Sequence, residues 1–282
     1  MPIERAREMG FCFGVKRAIK LVERAVHQYG RLETLGPLVH NQRVVDRMAS
    51  LGVRAVDSLE EISGPRVVIA SHGVGPQVVE EIRSRHLQVI DATCPWVCRA
   101  QRAARSLAES SFLVILLGDA EHPEVKGVLG WVGDRGIAVQ DENGLPDLDR
   151  LPRRLGIISQ STQSPARFAE FAQRVIDLAL PRSIELRIVN TICDATKKRQ
   201  AAALDLAHRV DEVIVVGGRS SANTRRLVEL CSGAGVEAHL VETAAEIEEA
   251  WLKGHHRLGV TAGASTPDEA IDEVMCRLEE LT

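Results

Sequence analysis

Three cysteines occupy the same kind of position in the sequence, where a short apolar run gives way to a helical pattern. Cys94 lies in the sequence DATCP, Cys193 in NTICD and Cys12 in GFCFG. A thiol beside the N-terminus of a helix is stabilised as the thiolate, which is the form that binds metals. Because the three cysteines are far apart in the chain, they would have to come from three separate structural units.

Three thiolates at one centre suggest an iron–sulfur cluster. A four-iron cubane needs four ligands, so three cysteines would leave one iron open to bind and reduce a substrate. The chain has no pair of Cys-x-x-Cys clips, which disfavours a zinc finger. The alternative is that all three are buried small apolar residues, as free cysteines often are. Cys231 and Cys276 are predicted to lie in the core.

Three histidines follow predicted strands or turns, each beside glycine, proline or asparagine: His40, His72 and His122. A single loop histidine is usually just solvated, but three in such settings suggest a shared site. Imidazole can donate a hydrogen bond to an anion, or become cationic beside one. Glu124 follows His122-Pro123 at a predicted strand end, and a carboxyl in a closed pocket can have its pKa raised toward the working pH. Taken alone, Glu124 is an ordinary first-turn helix glutamate.

Hydroxyl and amide side chains cluster before three further helices. The members are Ser161 with Thr162, Ser221 with Asn223, and Ser265. N-capping alone would explain them, but a capped helix N-terminus can also bind an anion. No G-x-x-x-x-G-K-[ST] or G-x-G-x-x-G motif is present. The ligand implied is a diphosphate held by neutral donors and histidines rather than by a nucleotide-binding loop.

The elements that would position these residues alternate between strand and helix. Apolar runs such as Phe112–Leu117 and Val213–Val216 each lead into a polar loop and then a helical pattern. Cys94 is predicted at the end of a buried strand. This alternation predicts an α/β fold with mainly parallel sheets, in which ligands bind at the carboxyl ends of the strands. We expect three units, 1–95, 96–193 and 194–282, with the C-terminal helix as a candidate to pack back on the first.

Composition excludes several classes of protein. The 282-residue chain is 45% hydrophobic and 26% charged, with a formal net charge of −4. It therefore offers no general basic field to attract nucleic acid or an anionic membrane. No apolar run approaches the roughly 20 residues that span a bilayer, and residues 1–7 lack the apolar core of a signal peptide. We expect a cytoplasmic protein with reduced cysteines.

Several motifs together resemble one family. They are GFCFGVKRAI, LVHNQRVV, SHGV, DATCP, HPEVKG, SQST, SSANTRRL and GVTAGAS. This set is similar to that of the LytB/IspH family, the 4-hydroxy-3-methylbut-2-enyl diphosphate reductases of the non-mevalonate isoprenoid pathway. The resemblance runs from Gly10 to about Asp268. Each motif is modest alone, but the combination is specific.

The resemblance implies three pseudo-repeated α/β units around a central 4Fe–4S cluster, with one cysteine ligand from each unit and one open iron. It implies reductive dehydroxylation of the substrate to isopentenyl and dimethylallyl diphosphate, with electrons from a ferredoxin or flavodoxin. Glu124 would donate the proton, helped by Ser161. The remaining residues are implied to bind the substrate, chiefly its diphosphate: His40, His72, His122, Ser161, Thr162, Ser221, Asn223 and Ser265. Cys12, Cys94 and Cys193 would be the cluster ligands.

Two positions depart from the family pattern. Ser161 stands where the family usually has threonine, so the hydroxyl is kept but the methyl group that restricts its rotamer is lost. Ala222 stands where a second phosphate-binding serine is usual. Losing one donor to a charged group costs on the order of 1.5–3 kcal/mol, unless Ser220 or a main-chain N–H replaces it. We expect weaker substrate binding rather than loss of activity.

Two other functions fit parts of the pattern. An iron–sulfur hydro-lyase acting on a small organic acid would also use an open iron, but it would call for arginines that bind a carboxylate. A non-catalytic redox sensor with an iron–sulfur or zinc centre would explain the cysteines. It would leave Glu124 and the hydroxyl clusters without a purpose.

Overall fold

The computed structural model describes residues 2–147, 151–182, 185–252, 254 and 257–282. Within these ranges strands and helices alternate, and the strand pairs are parallel. The predicted α/β fold with mainly parallel sheets is confirmed. The strands are β1 (Ile3–Arg5), β2 (Leu32–Leu35), β3 (Val53–Val56), β4 (Arg66–Ile69), β5 (Gln88–Asp91), β6 (Leu113–Leu117), β7 (Gly136–Val139), β8 (Arg154–Ser159), β9 (Glu185–Ile188), β10 (Glu212–Val216), β11 (Glu237–Val241) and β12 (Leu258–Ala262). The helices are α1 (Phe13–Tyr29), α2 (Gln42–Ser50), α3 (Pro76–Ser84), α4 (Pro95–Glu109), α5 (Pro123–Gly130), α6 (Pro165–Ala179), α7 (Asp194–Ala207), α8 (Ala222–Gly233) and α9 (Asp268–Leu281).

The described strands form three four-stranded sheets that share one strand order. Their orders are β3-β2-β4-β5, β7-β6-β8-β9 and β11-β10-β12-β1. The two central strands of each sheet are almost wholly buried, as expected where helices cover both faces of a parallel sheet. The strand before Cys94 was predicted to be buried, but this prediction is wrong for part of β5. Val89 is 44% exposed, because β5 is the edge strand of its sheet and no further strand pairs with it.

Strand β1 lies within the residues predicted for the first unit but belongs to the third sheet. Residues 3–5 pair with residues 258–260, so β1 completes the third sheet instead of joining the first. A three-residue strand has no alternation to read, and its partner lies near the other end of the chain. Helix α9 covers this third sheet with Ile271, Val274 and Leu278. It also reaches α2 through an ion pair between Arg43 and Glu273, 2.5 Å apart. The division after residues 95 and 193 stays a prediction.

The cysteines outside the predicted site differ in their surroundings. Cys231 is fully buried against β10 and α7, as predicted. Cys276 is exposed, so its prediction as a core residue is wrong. The buried stripe of α9 runs through positions 270, 271, 274, 275 and 278, and position 276 falls outside it. Among the described helices, none combines the length and the apolar character needed to cross a membrane.

Candidate active site

All three sheets direct the carboxyl ends of their strands and the following loops toward one cavity. Ligand sites of α/β proteins typically lie at such strand ends. Every residue predicted to take part in the site lines this cavity: Cys12, Cys94, Cys193, His40, His72, His122, Glu124, Ser161, Thr162, Ser221, Asn223 and Ser265. The structure thus brings the whole predicted set together, while the role of each residue stays a prediction.

Each of the three cysteines is the N-cap residue of a helix. Cys12 caps α1 and its Sγ accepts a hydrogen bond from the Val15 N–H at 3.4 Å. Cys193 caps α7, where the Thr196 N–H lies 3.3 Å and the Thr196 Oγ1 3.0 Å from its sulfur. Cys94 caps α4, and Pro95 follows it as the first helical residue. The three helix dipoles therefore point their positive ends at the sulfurs and favour thiolates.

The sulfurs face a shared space that Gly14 keeps open. A Cβ atom on Gly14 would lie 2.6 Å from Cys94 Sγ and 3.8 Å from Cys12 Sγ. Among the described residues, no three His, Cys, Asp or Glu side chains converge on the point where a single metal ion could be held. The three thiols line one cavity, and thiolates are the donors that iron–sulfur clusters use.

Burial makes two of these thiols, Cys94 and Cys193, hard to ionise unless a metal replaces the proton. It raises the pKa of the Cys94 thiol to about 11, although the nearby Trp96 and Val97 N–H groups act in the opposite direction. Burial likewise raises the pKa of Cys193, although Thr196 donates to its sulfur. Proximity to one another adds to the rise, since each thiolate disfavours the next. Metal binding releases these protons, and the neighbouring thiolates then act as ligands of the metal.

Three imidazole rings form one wall of the cavity. The His40 ring centroid lies 5.0 Å from that of His122 and 5.9 Å from that of His72. His72 donates from Nδ1 to the Gly73 carbonyl at 3.1 Å, so its Nε2 is a bare acceptor when the ring is neutral. Nδ1 of His122 accepts from the Glu124 N–H at 3.1 Å, which leaves the proton on Nε2. The Nε2 atoms of His40 and His72 are buried and have no hydrogen-bond partner in the protein.

Burial keeps these histidines neutral in the absence of a ligand. It lowers the pKa of His40 to about 4, with further lowering by the charges of His72 and Arg225. The pKa of His122 is also lowered to about 4, by burial first and then by His40 and His72. An anion in the cavity would oppose both effects and favour protonation. The wall can thus gain positive charge when an anion enters.

Glu124 and Ser161 form a buried acid–hydroxyl pair. The Ser161 N–H donates to Glu124 Oε1 at 2.6 Å, and the Ser161 hydroxyl donates to Oε2 at 2.8 Å. Burial raises the pKa of Glu124, although both hydrogen bonds from Ser161 act in the opposite direction. Helix α5 positions the carboxyl in its first turn, two residues after the capping residue His122. The pair can hold a proton at the edge of the cavity.

A second wall of the cavity is made by the first turn of α8 and the loop after β12. Ser221 caps α8 and accepts from the Thr224 N–H at 3.3 Å. Asn223 Oδ1 accepts from the Ala264 N–H at 2.9 Å, and this leaves the buried Nδ2 without a partner. The Ser265 hydroxyl donates to the His40 carbonyl at 3.1 Å, which ties this wall to the imidazoles. The arrangement offers amide and hydroxyl donors to an anion.

Two residues that support the site were not found from the sequence. Thr196 contacts the Cys193 sulfur, and its place one turn after the cysteine was the available signal. Arg199 is buried and donates to the Gly10 carbonyl from Nη2 at 2.6 Å and from Nε at 3.2 Å. It thereby fastens the loop that carries Cys12 to α7. Nothing in the local sequence of Arg199 indicates a partner so far away in the chain.

The fold and the site define a three-unit α/β protein in which three thiols, an acid and an anion-binding wall share one cavity. The family model of the LytB protein matches residues 3–279, and the chain belongs to this family. It is 48% identical over 282 residues to the 4-hydroxy-3-methylbut-2-enyl diphosphate reductase of Dehalococcoides mccartyi strain CBDB1, covering 100% of this chain and 99% of that protein.

More distant relatives share both the length and the architecture. The protein of the same name from Pelobacter propionicus is 42% identical, over 100% of this chain and 99% of its own length. The solved structure of the E-1-hydroxy-2-methyl-but-2-enyl-4-diphosphate reductase from Plasmodium falciparum matches with a TM-score of 0.91 at 27% identity, covering 98% of this chain and 87% of that one. A second solved structure, described as (E)-4-hydroxy-3-methyl-but-2-enyl diphosphate reductase, the terminal enzyme of the non-mevalonate pathway, matches with a TM-score of 0.70 at 39% identity, covering 99% of this chain and 100% of that one.

Proposed function

We propose that the protein is an oxidoreductase that converts 4-hydroxy-3-methylbut-2-enyl diphosphate to isopentenyl and dimethylallyl diphosphate. The observation that carries the proposal is the single cavity, which combines three helix-capping thiols with a buried acid and with unpartnered imidazole and amide nitrogens. A redox centre, a proton source and an anion site are the three requirements of a reductive dehydroxylation. Its relatives of full length carry the name of this activity.

The donor set suits one 4Fe–4S cluster held by Cys12, Cys94 and Cys193. Such a group, with one iron not ligated by the protein, would supply electrons singly and a Lewis-acid site for the substrate hydroxyl. The protein's own part is to provide three sulfurs from separate units and to exclude water around them. Gly14 leaves the room that the group requires, because a side chain there would overlap Cys94 Sγ.

The two walls of the cavity would hold the diphosphate. His40 and His72 gain a proton or donate once an anion is near, and Asn223 Nδ2 is a buried donor that lacks a partner in the protein. The hydroxyls of Thr162, Ser221 and Ser265 line the same space. Fixing the diphosphate at one end orients the allylic alcohol at the other toward the thiols, and such positioning lowers the barrier to reaction.

Glu124 would supply the proton that allows the hydroxyl group to leave as water. The balance is one substrate, two electrons and two protons, giving isopentenyl or dimethylallyl diphosphate and one water. Protonated Glu124 gives one proton to the departing oxygen, and the Ser161 hydroxyl, 2.8 Å from Oε2, is placed to relay its replacement. The second proton goes to carbon and determines which of the two products forms. The raised pKa of Glu124 suits a proton donor.

A small acidic electron carrier, a ferredoxin or a flavodoxin, would deliver the electrons, and we propose the cytoplasm as the location.

The two rival functions have less support. A hydro-lyase for a small organic acid would need arginines against the carboxylate, and the described lining of this cavity contains none. A redox sensor would not need the Glu124–Ser161 pair or the unpartnered donors.

One experiment tests the proposal. The protein is purified without oxygen, its visible and EPR spectra are recorded, and loss of the allylic diphosphate is followed with reduced methyl viologen. We expect a brown protein with a cluster signal and turnover that depends on the viologen. A colourless protein would refute the cluster, and a protein with a full cluster that leaves the diphosphate unchanged would refute the reductase.

A further inference from the structure

A second cavity lies directly beside the first. The two share Thr162 and Ala222 in their walls. The second cavity opens between the second and third units, where the loop after β6, the start of α6 and the first turns of α8 meet. In contrast to the first cavity it is lined by three arginines: Arg167, Arg225 and Arg226. None of the proposed catalytic steps uses them.

Two of the three guanidinium groups are available to an anion. Arg226 pairs with Glu229. Arg167 instead donates to the Gln140 carbonyl at 2.7 Å, and Arg225 donates to the Arg219 carbonyl at 3.0 Å. Within the described part of the chain, neither of these two arginines forms an ion pair.

The carboxylates in the wall do not cancel this charge. Glu229 is engaged by Arg226, and Asp119 accepts from the Glu121 N–H at 3.1 Å. Three cationic groups therefore face two anionic ones. The second cavity keeps a positive excess next to the wall that is proposed to hold a diphosphate.

A buried donor without a partner lines the second cavity. Gln160 is only 4% exposed, and its Oε1 accepts from the Asp119 N–H at 3.3 Å. That contact determines the orientation of the amide, so the other atom is the Nε2 donor group. Nε2 has no hydrogen-bond partner in the protein. A buried donor left unpaired costs about 1–3 kcal/mol, which a bound acceptor would recover.

The substitution at Ala222 connects the second cavity with the first. Ala222 and Arg225 are three positions apart on α8 and so lie on the same face of the helix. The charge of Arg225 acts on groups inside the first cavity. Burial is the main cause of the lowered pKa of His40 and of His122, and Arg225 lowers both further. At the position where a second serine hydroxyl is expected, this chain has a methyl group with a guanidinium one turn further on.

We propose that the second cavity is an anion site for a phosphate or diphosphate group, held by Gln160 Nε2 and by the guanidinium groups of Arg167 and Arg225. The identity of its natural ligand rests on the proposed function, under which that ligand is an allylic diphosphate. Because the walls of the first cavity are proposed to hold the tail of the reacting molecule, the anion in the second cavity is a second diphosphate bound beside it.

Calorimetric titration of the anaerobic, cluster-containing protein with inorganic diphosphate tests the site. We expect the Arg167→Gln and Arg225→Gln variants each to weaken binding by about tenfold, the equivalent of one modest charge-assisted hydrogen bond. Arg277→Gln is the matched control, because Arg277 is an exposed arginine on α9 that pairs with Glu280. Gln160→Met removes the buried donor at similar volume and is expected to weaken binding as well.

Stoichiometry separates this second site from the first. Two diphosphates per chain, of which the arginine variants lose one, would support the proposal. A single diphosphate per chain would overturn it, because the first cavity is already proposed to bind one. Binding by Arg167→Gln, Arg225→Gln and Gln160→Met that equals binding by Arg277→Gln would overturn the proposal. The titration requires no turnover, so its result stands even if the reductase activity is absent.

Discussion

At the scale of single residues, Glu124 has the side chain whose chemistry depends most on its surroundings. An exposed glutamate is ionised at neutral pH, but burial raises the pKa of this carboxyl. A raised pKa keeps the acid protonated to higher pH, and a proton donor must be protonated before each turnover. Ser161 works against the rise by donating twice to the carboxylate. The balance between burial and the two hydrogen bonds from Ser161 sets the pH above which Glu124 is ionised and can no longer donate a proton.

Glu124→Gln removes the proton and keeps the shape of the side chain. We expect kcat to fall by about 10²–10⁴-fold, the usual contribution of a positioned acid, while the cluster content stays that of the unmodified protein. In the unmodified enzyme kcat should decrease as the pH rises through the raised pKa of Glu124. The measurement is methyl viologen-dependent turnover across pH, together with iron and sulfide analysis.

Glu121→Gln provides the control for this change. Glu121 is exposed, lies three positions before Glu124 and pairs with Lys126 at 2.7 Å. Its substitution changes the charge of the same loop without touching the cavity, so turnover should be unaffected. Normal turnover in Glu124→Gln would contradict the role of the acid, and equal losses in both variants would point to a general effect of charge.

At the scale of elements, α5 is held in place by glycines that allow backbone contact. A Cβ atom on Gly130 would lie 2.9 Å from Gly75 Cα, and one on Gly127 would lie 3.3 Å from the Gly73 carbonyl oxygen. The helix that carries Glu124 therefore packs directly on the loop that carries His72. The acid and the imidazole come from different units, and this contact fixes the distance between them.

Gly130→Ala should push α5 away from this loop. Because the obstacle is main chain rather than a flexible side chain, we expect a loss of about 1–3 kcal/mol in the free energy of unfolding. We also expect a lower kcat, since Glu124 moves with the helix. Gly233→Ala is the control, because Gly233 also ends a helix but has nothing within 4 Å of its Cβ position. That variant should be neutral or more stable by up to about 1 kcal/mol.

Chemical unfolding and steady-state turnover, measured on both variants with the cluster in place, decide this prediction. A Gly130→Ala protein that matches Gly233→Ala in stability and kcat would mean that α5 can shift without consequence. A loss of stability with unchanged kcat would separate the packing of α5 from the placement of Glu124. Equal destabilisation of both variants would show that close packing at Gly130 is not the cause.

The sequence allowed prediction of long apolar elements and their caps but not of short strands with polar residues. Cys12 was predicted to lie beside a helix N-terminus, and it caps α1, which begins at Phe13. Strand β2 was not predicted, since the buried Glu33 interrupts its apolar pattern. Glu33 is held by the Ser63 and Gly64 N–H groups at 2.8 and 3.0 Å and by Arg54. These partners lie on a distant loop and on β3, so the local pattern gives no hint of them.

At the scale of the whole molecule, the residues of the site could be predicted from the ends of the apolar runs. The distant contacts that support those residues could not. Cys12, Cys94 and Cys193 share a position before a helix that any reader of the sequence can recognise. The contact of Arg199 with the Gly10 carbonyl and the pairing of β1 with β12 join distant parts of the chain. The second cavity likewise arises where two units meet, and no motif marks its arginines.

The three units have separate cores, and the thiols are the points at which they would share one ligand. A group that binds the folded chain and not the unfolded chain stabilises the fold. Loss of one thiol should therefore affect the whole molecule and not only its chemistry. Cys193 is the most informative thiol to remove, because Thr196 provides hydrogen bonds that a serine at 193 can retain.

Cys193→Ser should lose the cluster, and its thermal unfolding should begin at a lower temperature and become less cooperative, because the three units are no longer joined through one ligand. Cys231→Ser is the control: that thiol is fully buried in the third unit and far from the cavity lining. It should keep the full iron and sulfide content, with a loss of stability confined to its own core. Iron analysis, visible absorption and anaerobic calorimetry measure each quantity. A Cys193→Ser protein with the cluster content and melting temperature of the unmodified chain would show that the three units do not depend on a shared group, and the cavity would then need another explanation.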